Sequence, residues 1–264
     1  MSALTATPQA VTTPAGRMAA LARAELTLLG RSKGTLFAAL FVPVVMPFSL
    51  RQGADSMDLK GAGLSVGAVV VPGAIGFSLL FAVYSALTAV YAARREELVL
   101  KRLRTGELRD PEILAGAALP SVAIGVVQAV VLAIGCTVLL DTGAPSAPHL
   151  AVIGVLLGLV MFSALGAVTA SLSRSVESAQ VMAMPLAFGS MFGSGLFIPF
   201  EVMPDKLASV CELLPLSPVI TLVRGGWTGE LSGADTLAAL ATAVAWTVVS
   251  VFAVRRWFRW EPRR

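Results

Sequence analysis

The stretch RREELVLKRLRTGELRDPEIL, residues 94–114, decides how the rest of the chain is read. It holds eleven charged residues, six of them basic. An uncharged apolar run, 61–93, lies before it, and another, 113–140, follows. Crossing about 30 Å of hydrocarbon takes about 20 apolar residues in a helix, so each run is long enough to span a membrane. The charged stretch is then a loop between two spans.

Composition agrees. The chain has 264 residues, 56% hydrophobic and only 14% charged, with a mean hydropathy of +0.81. A soluble globular domain is about 45–50% apolar and about 25% charged, so the chain falls in the membrane class. Arg outnumbers Lys, and Ala, Val and Gly are abundant, a bias of GC-rich bacterial genomes. The first sixteen residues are polar and Pro/Thr-rich, with neither the basic start nor the apolar core of a signal peptide. They read as a disordered tail, 1–16, before a single transmembrane domain, 17–254, and a basic tail, 255–264.

Six spans are expected: 35–50, kinked by Pro43 and Pro47, then 61–93, 113–140, 150–173, 178–200 and 236–254. Placing the N-terminus inside puts sixteen Lys and Arg in the cytoplasmic segments and four outside, namely Arg51, Lys60, Lys206 and Arg224. Both termini and residues 94–114 are therefore expected in the cytoplasm. Residues 17–33 have helical periodicity, with Met18, Leu21, Ala22, Leu28 and Leu29 on one face. They read as a surface helix, with Glu25 set unexpectedly in the apolar face. The loop 201–235 is too apolar for solvated coil and reads as short helices on or dipping into the outer leaflet.

Within the charged stretch, 94–104 suits a helix, with Glu97 four residues before Lys101 and a narrow apolar edge of Val99, Leu100 and Leu103. Thr105-Gly106 reads as a stop. Asp110-Pro111-Glu112 reads as a restart, with Asp110 as N-cap. Topology alone needs a few arginines. An amphipathic helix with interleaved acids looks like a docking surface for a cytoplasmic partner.

At these residues the chain resembles the ABC-2 type permeases, the membrane subunits of a class of ATP-driven exporters. REELVLKRLRTGELRDPEILAG is similar to their cytoplasmic loop, except that Leu98-Val99 stand where Gly-Thr is common. A second likeness covers the fifth-span region and the loop beyond it, where Gly195, Pro199, Pro204, Pro215 and Arg224 fall on the family pattern. The resemblance covers nearly the whole chain from Arg17 onward. It implies a half-transporter that pairs as a homodimer or heterodimer and binds a separate ATPase chain. Arg94, Arg95, Glu96, Glu97, Leu100, Lys101, Arg102, Leu103 and Arg104 would then form the ATPase-coupling helix. Arg23, Glu25 and Arg31 would form a second contact. Gly189, Met191, Phe192, Gly193 and Phe197 would line a dimer seam and substrate route.

The chemistry missing from the sequence points the same way. The uncharged runs hold no ionisable group of the kind that ion-driven carriers use. No Gly-Lys dipeptide occurs, so no Walker A loop is present, and ATP with its Mg would sit on the partner. No cofactor is expected on this chain. His149 is the only histidine and has no metal-ligand spacing. Cys136 and Cys211 fit no redox or zinc pattern and read as unpaired.

The expectation is an all-α, six-span permease of a bacterial cytoplasmic membrane. It would export a hydrophobic or amphiphilic small molecule, drug- or antibiotic-like, with membrane lipid around it and no nucleic-acid partner. A lipid-linked glycan is the alternative substrate. A non-transporting scaffold that recruits a soluble partner is the alternative of another class. The orientation is checked with reporter fusions: alkaline phosphatase joined after Thr105 is expected to be inactive and β-galactosidase active, with the reverse after Gly229.

Overall fold

The computed structural model describes residues 13–31, 33, 45, 47–49, 51–52, 65–106, 108–139, 143–198, 200, 203–258 and 260. Most of the expected first span, 35–50, lies outside the described residues, as do Pro199 and the side chains of Glu25 and Arg31.

The described residues are helical, with no strand among them. Helix α1 (Pro14–Arg31) starts three residues earlier than the sequence reading, because Thr13 caps it: its Oγ accepts the Gly16 amide at 3.1 Å. Proline at the first helical position suits the start, since its missing N–H would have no partner there. One long span follows in three parts: α2 (Val66–Ser78), a π-helical segment (Leu79–Ser85) and α3 (Ala86–Glu96). Ser65 caps α2 by accepting the Ala68 amide. After the short α4 (Val99–Arg104) come α5 (Asp110–Leu139), α6 (Pro148–Leu172) and α7 (Val176–Gly193). The chain closes with α8 (Asp205–Cys211), α9 (Ser217–Thr228) and α10 (Gly233–Trp257).

Among the described residues four helices are long and apolar enough to cross a membrane: Val66–Glu96, Asp110–Val138, Pro148–Leu172 and Gly233–Trp257. These match the second, third, fourth and sixth expected spans. The fifth, α7, is 18 residues long, about 27 Å at 1.5 Å per residue. Its first turns carry Glu177, Ser178 and Gln180, which shorten its apolar run.

Helix α6 is the packing axis, touching α3, the π segment, α5, α7, α9 and α10. Its glycines make this possible. A Cβ on Gly158 would meet Leu79 Cδ1 at 2.8 Å and Val219 Cγ2 at 3.2 Å, and one on Gly166 would meet the Tyr84 carbonyl at 3.2 Å. Small residues let helix backbones approach closely where lipid offers no hydrophobic drive. Polar side chains staple the same interfaces: Ser78 bonds Gln128, and Tyr84 bonds Thr169 at 3.0 Å. The tyrosines and Gln128 that the sequence offers as interior polar groups are thus spent on helix–helix contacts.

The region 201–235 forms two short helices, α8 and α9. Helix α9 does not lie on a surface. Nearly all of it is buried, including Val219, Ile220, Leu222, Val223 and Trp227, and it packs against α2, α6 and α10. Gly226 seats it, since a Cβ there would meet the Ala151 amide and side chain at 2.7 Å. Only α8 and its exit keep exposed apolar side chains: Leu207, Val210 and Leu213.

The packing is tested with two glycines. Gly226→Leu drives into backbone and is expected to cost at least about 1–3 kcal/mol, read as a lower melting temperature in detergent. Gly135, with open space at its Cβ, should tolerate Ala and gain up to about 1 kcal/mol of helix propensity.

Candidate functional site

The charged junction is built on a helix break. Helix α3 runs to Glu96, Glu97 closes it, and Leu98 takes the left-handed conformation at φ 58°. Leu98 is the one non-glycine residue with positive φ among those described. That conformation costs an L-residue roughly 1–2 kcal/mol. Leu98 thus stands at a position whose backbone favours glycine. The break separates Glu97 from Lys101, so the expected pair no longer lies on one continuous helix.

Helix α4 restarts at Val99 and is seated by Leu100, which is fully buried. Leu103 is half-buried, while Glu97, Leu98, Lys101 and Arg102 are exposed. The outward face is therefore a charged ring around one apolar tip, and the expected apolar edge turns partly inward. Arg104 donates to Asp110 at 3.0 Å and lies 5.0 Å over the ring of Trp260. That ion pair is about half exposed on both sides and is worth at most about 1 kcal/mol. The restart of α5 also differs by one residue. Asp110 is the first helical residue, and Glu112 reaches back to accept the Arg109 amide at 2.8 Å, half of a capping box.

Arg95 turns inward, while Glu96 stays exposed and reaches across to the start of α7. Arg95 is 1% exposed. Its guanidinium donates to the Ala170 carbonyl at 2.6 Å, the Ser173 carbonyl at 2.9 Å and the Ser173 hydroxyl at 3.2 Å. These groups form the C-terminal end of α6, where carbonyls lack helical partners and a positive charge is favoured. Glu96 Oε1 accepts the Val176 amide at 2.9 Å, at the N-terminal end of α7, where a negative charge is favoured. Two adjacent side chains of opposite sign thus hold the two ends of the α6–α7 turn, each with the polarity its helix end needs. Sequence reasoning assigned both to an outside partner. The signal for burial was present: Tyr84, Thr88, Tyr91, Ala92 and Arg95 recur at helical spacing, and all five are buried.

Helix α1 docks beside this junction. Arg17 pairs with Glu112 at 3.0 Å, with both side chains mostly buried. Leu21 fills the space over Gly116. Arg23, one of three residues expected at a second contact, is exposed; the other two, Glu25 and Arg31, have side chains outside the described set.

The expected seam residues divide. Gly189 has open space at its Cβ. Phe192 is 59% exposed and stacks between Phe188 and Phe197, at 6.4 and 5.7 Å. Met191 is buried instead, and Gly193 faces Leu214, 2.5 Å from where its Cβ would be. Arg224 is nearly buried. Its Nε donates to the Ala68 carbonyl at 3.2 Å and its Nη2 to the Gly195 carbonyl at 3.0 Å. Gly195 has φ +73°, which suits glycine. Pro204 precedes α8 as its cap residue, and Pro215 lies in the turn between α8 and α9. Cys136 and Cys211 are both free, and no metal-holding cluster occurs among the described residues.

A family model described as ABC-2 type transporter matches residues 17–227, most of the chain and all of the elements just described up to α9. The chain belongs to the ABC-2 type transporter family. One relative of this ABC-2 chain is "Putative transport permease YvfS" of Bacillus subtilis (strain 168), 40% identical over 76 residues. That match covers 27% of this chain and 31% of the relative, so it spans under a third of either.

Arg95→Ala removes the donor of the Ser173 carbonyl, while the Ala170 carbonyl keeps the Ser173 hydroxyl at 2.7 Å, and is expected to destabilise the ABC-2 fold by about 1–3 kcal/mol. Arg95→Lys should recover only part of this, because one ammonium lacks the planar fork. Leu98→Gly should instead stabilise, by up to about 1 kcal/mol. Melting in detergent and protease cleavage after Arg174 check all three.

Proposed function

We propose that this chain is the permease half of an ATP-driven exporter in a bacterial cytoplasmic membrane. It pairs with a second permease subunit, the same chain or a related one. A separate ATPase, holding ATP and Mg, docks on the tip of α4 through Glu97, Leu98, Lys101 and Arg102, with Arg23 of α1 beside it. The observation that carries the reading is the mechanical continuity behind that tip. Leu100 seats α4 in the protein, and Arg95 and Glu96 tie the adjoining end of α3 to the ends of α6 and α7.

The continuity supplies a mechanism. Closure of the ATPase pair displaces α4. The displacement passes through Arg95 and Glu96 into the α6–α7 turn. Helix α7 carries the exposed Phe188, Phe192 and open Gly189 face, which is the proposed seam between subunits. Moving α7 changes the space between the two copies from inward- to outward-facing. That face is apolar and aromatic, which supports a hydrophobic or amphiphilic small molecule as substrate. Aromatic rings also stack on sugar faces, so a lipid-linked glycan is the second reading.

The test is a mild-detergent pull-down of the tagged chain from its own host, read by mass spectrometry. A stoichiometric ATPase with a Walker A loop is the expected companion. Leu98→Asp with Arg102→Glu should remove it without changing the melting temperature, since both residues are exposed. Gly189→Leu should disrupt the dimer in size-exclusion chromatography, again with unchanged melting. A clean pull-down with no ATPase, repeated after gentle crosslinking, would replace the transporter by a channel or scaffold.

A further inference from the structure

A cavity of about 680 Å³ lies between α5, α6 and α10. It is separate from the α7 face and from the α4 tip. Its polarity runs along its length. The deeper wall is apolar, formed among the described residues by Leu114, Ala118, Val122, Val160, Val251 and their neighbours. Ser163 adds a hydroxyl there, but that hydroxyl is already bonded to the Leu159 carbonyl at 2.6 Å. The other end holds Asp110, Arg255 and Trp260.

These end residues share one level of the bundle. Asp110 begins α5, and Arg255 lies in the last turn of α10. Both mark where a span meets the cytoplasmic side in the orientation argued above. Trp260 packs edge-on to Phe258, which packs edge-on to Tyr91. Aromatic residues with one apolar and one polar edge gather at this level of a bilayer. From Leu114 to Val122 the apolar wall rises about 12 Å along α5. The cavity thus has the profile of an amphiphile: a charged mouth at the interface and an apolar shaft running into the bilayer.

The sign of the mouth selects the headgroup. The Asp110 carboxylate is engaged by Arg104 at 3.0 Å. Arg255 is exposed and has no ion-pair partner among the described residues. Arg256 beside it is exposed as well. The mouth therefore keeps a positive charge after its own pairing is satisfied. We propose that this cavity binds an acidic glycerophospholipid of the inner leaflet, with the phosphate at Arg255 and one acyl chain between α5, α6 and α10. The bound lipid packs against Trp260, whose ring also carries Arg104 of α4, so the site adjoins the junction that the ATPase is proposed to grip. Binding itself is independent of the transport reading, and the absence of an ATPase partner would leave it intact.

The test uses the full chain purified in mild detergent and native mass spectrometry. Phosphatidylglycerol and phosphatidylcholine with identical acyl chains are added in turn. The wild type is expected to retain phosphatidylglycerol about fivefold better, the scale of one basic residue at a membrane surface. Arg255→Gln, an exposed change that leaves packing alone, should bring the two lipids to parity. Val160→Trp fills the shaft from a position 55% exposed and should lose both adducts. Equal retention of the two lipids by the wild type overturns the proposal. So does a preference that survives Arg255→Gln, or adducts that persist in a folded Val160→Trp.

Discussion

A guanidinium buried at the end of a transmembrane helix organises this molecule. Arg95 would cost several kcal/mol to desolvate without partners. It is accommodated because α6 ends in carbonyls that need donors as much as Arg95 needs acceptors. The match is partly shared: the Ser173 carbonyl takes its donor from Arg95, while the Ala170 carbonyl also accepts the Ser173 hydroxyl. It joins the last turn of the 66–96 span to the turn between α6 and α7. Glu96 completes the join on α7. Any coupling of α4 to the spans depends on this junction, because a loop that moved independently of the spans could transmit nothing.

Above the junction the bundle is held by contour rather than charge. Gly158 and Gly166 let α9 and the 66–96 span approach α6 closely, and hydroxyl and amide pairs fix their register. Helix α9 lies inside the bundle, packed against α2, α6 and α10. Arg224 anchors it there through two backbone carbonyls, one before α2 has completed its first turn and one just beyond α7. Arg95 and Arg224 thus both act on main-chain oxygens near helix ends.

The apolar surfaces left uncovered are distributed unevenly. Helix α10 and the far half of α5 expose Val130, Ile134, Val138, Val248 and Phe252, as helices bordering lipid do. Helix α7 exposes a narrower face with stacked aromatic rings, better suited to a second protein surface. The 66–96 span is the most enclosed of the four, which fits its place between the charged junction and the bundle centre.

Hydropathy and charge placement by themselves determined the class, the location of four spans, the charged break between two of them and the family likeness. These are one-dimensional properties: the length of an apolar run and the positions of its charges act through the solvent, whatever the helices later touch. Direction was another matter. Arg95 and Leu100 stand in the same charged stretch as Lys101 and Arg102, yet the first two are buried and the others exposed. The left-handed turn at Leu98 decides this by rotating α4 relative to α3, and no periodicity count extends across such a break. In the same way VCELLPLSPVITLV, residues 210–223, has the composition of either a surface or a core helix. Only the close approach of Gly226 to Ala151 and the reach of Arg224 to Gly195 place α9 inside, because contacts between residues far apart in the chain leave no local pattern to read.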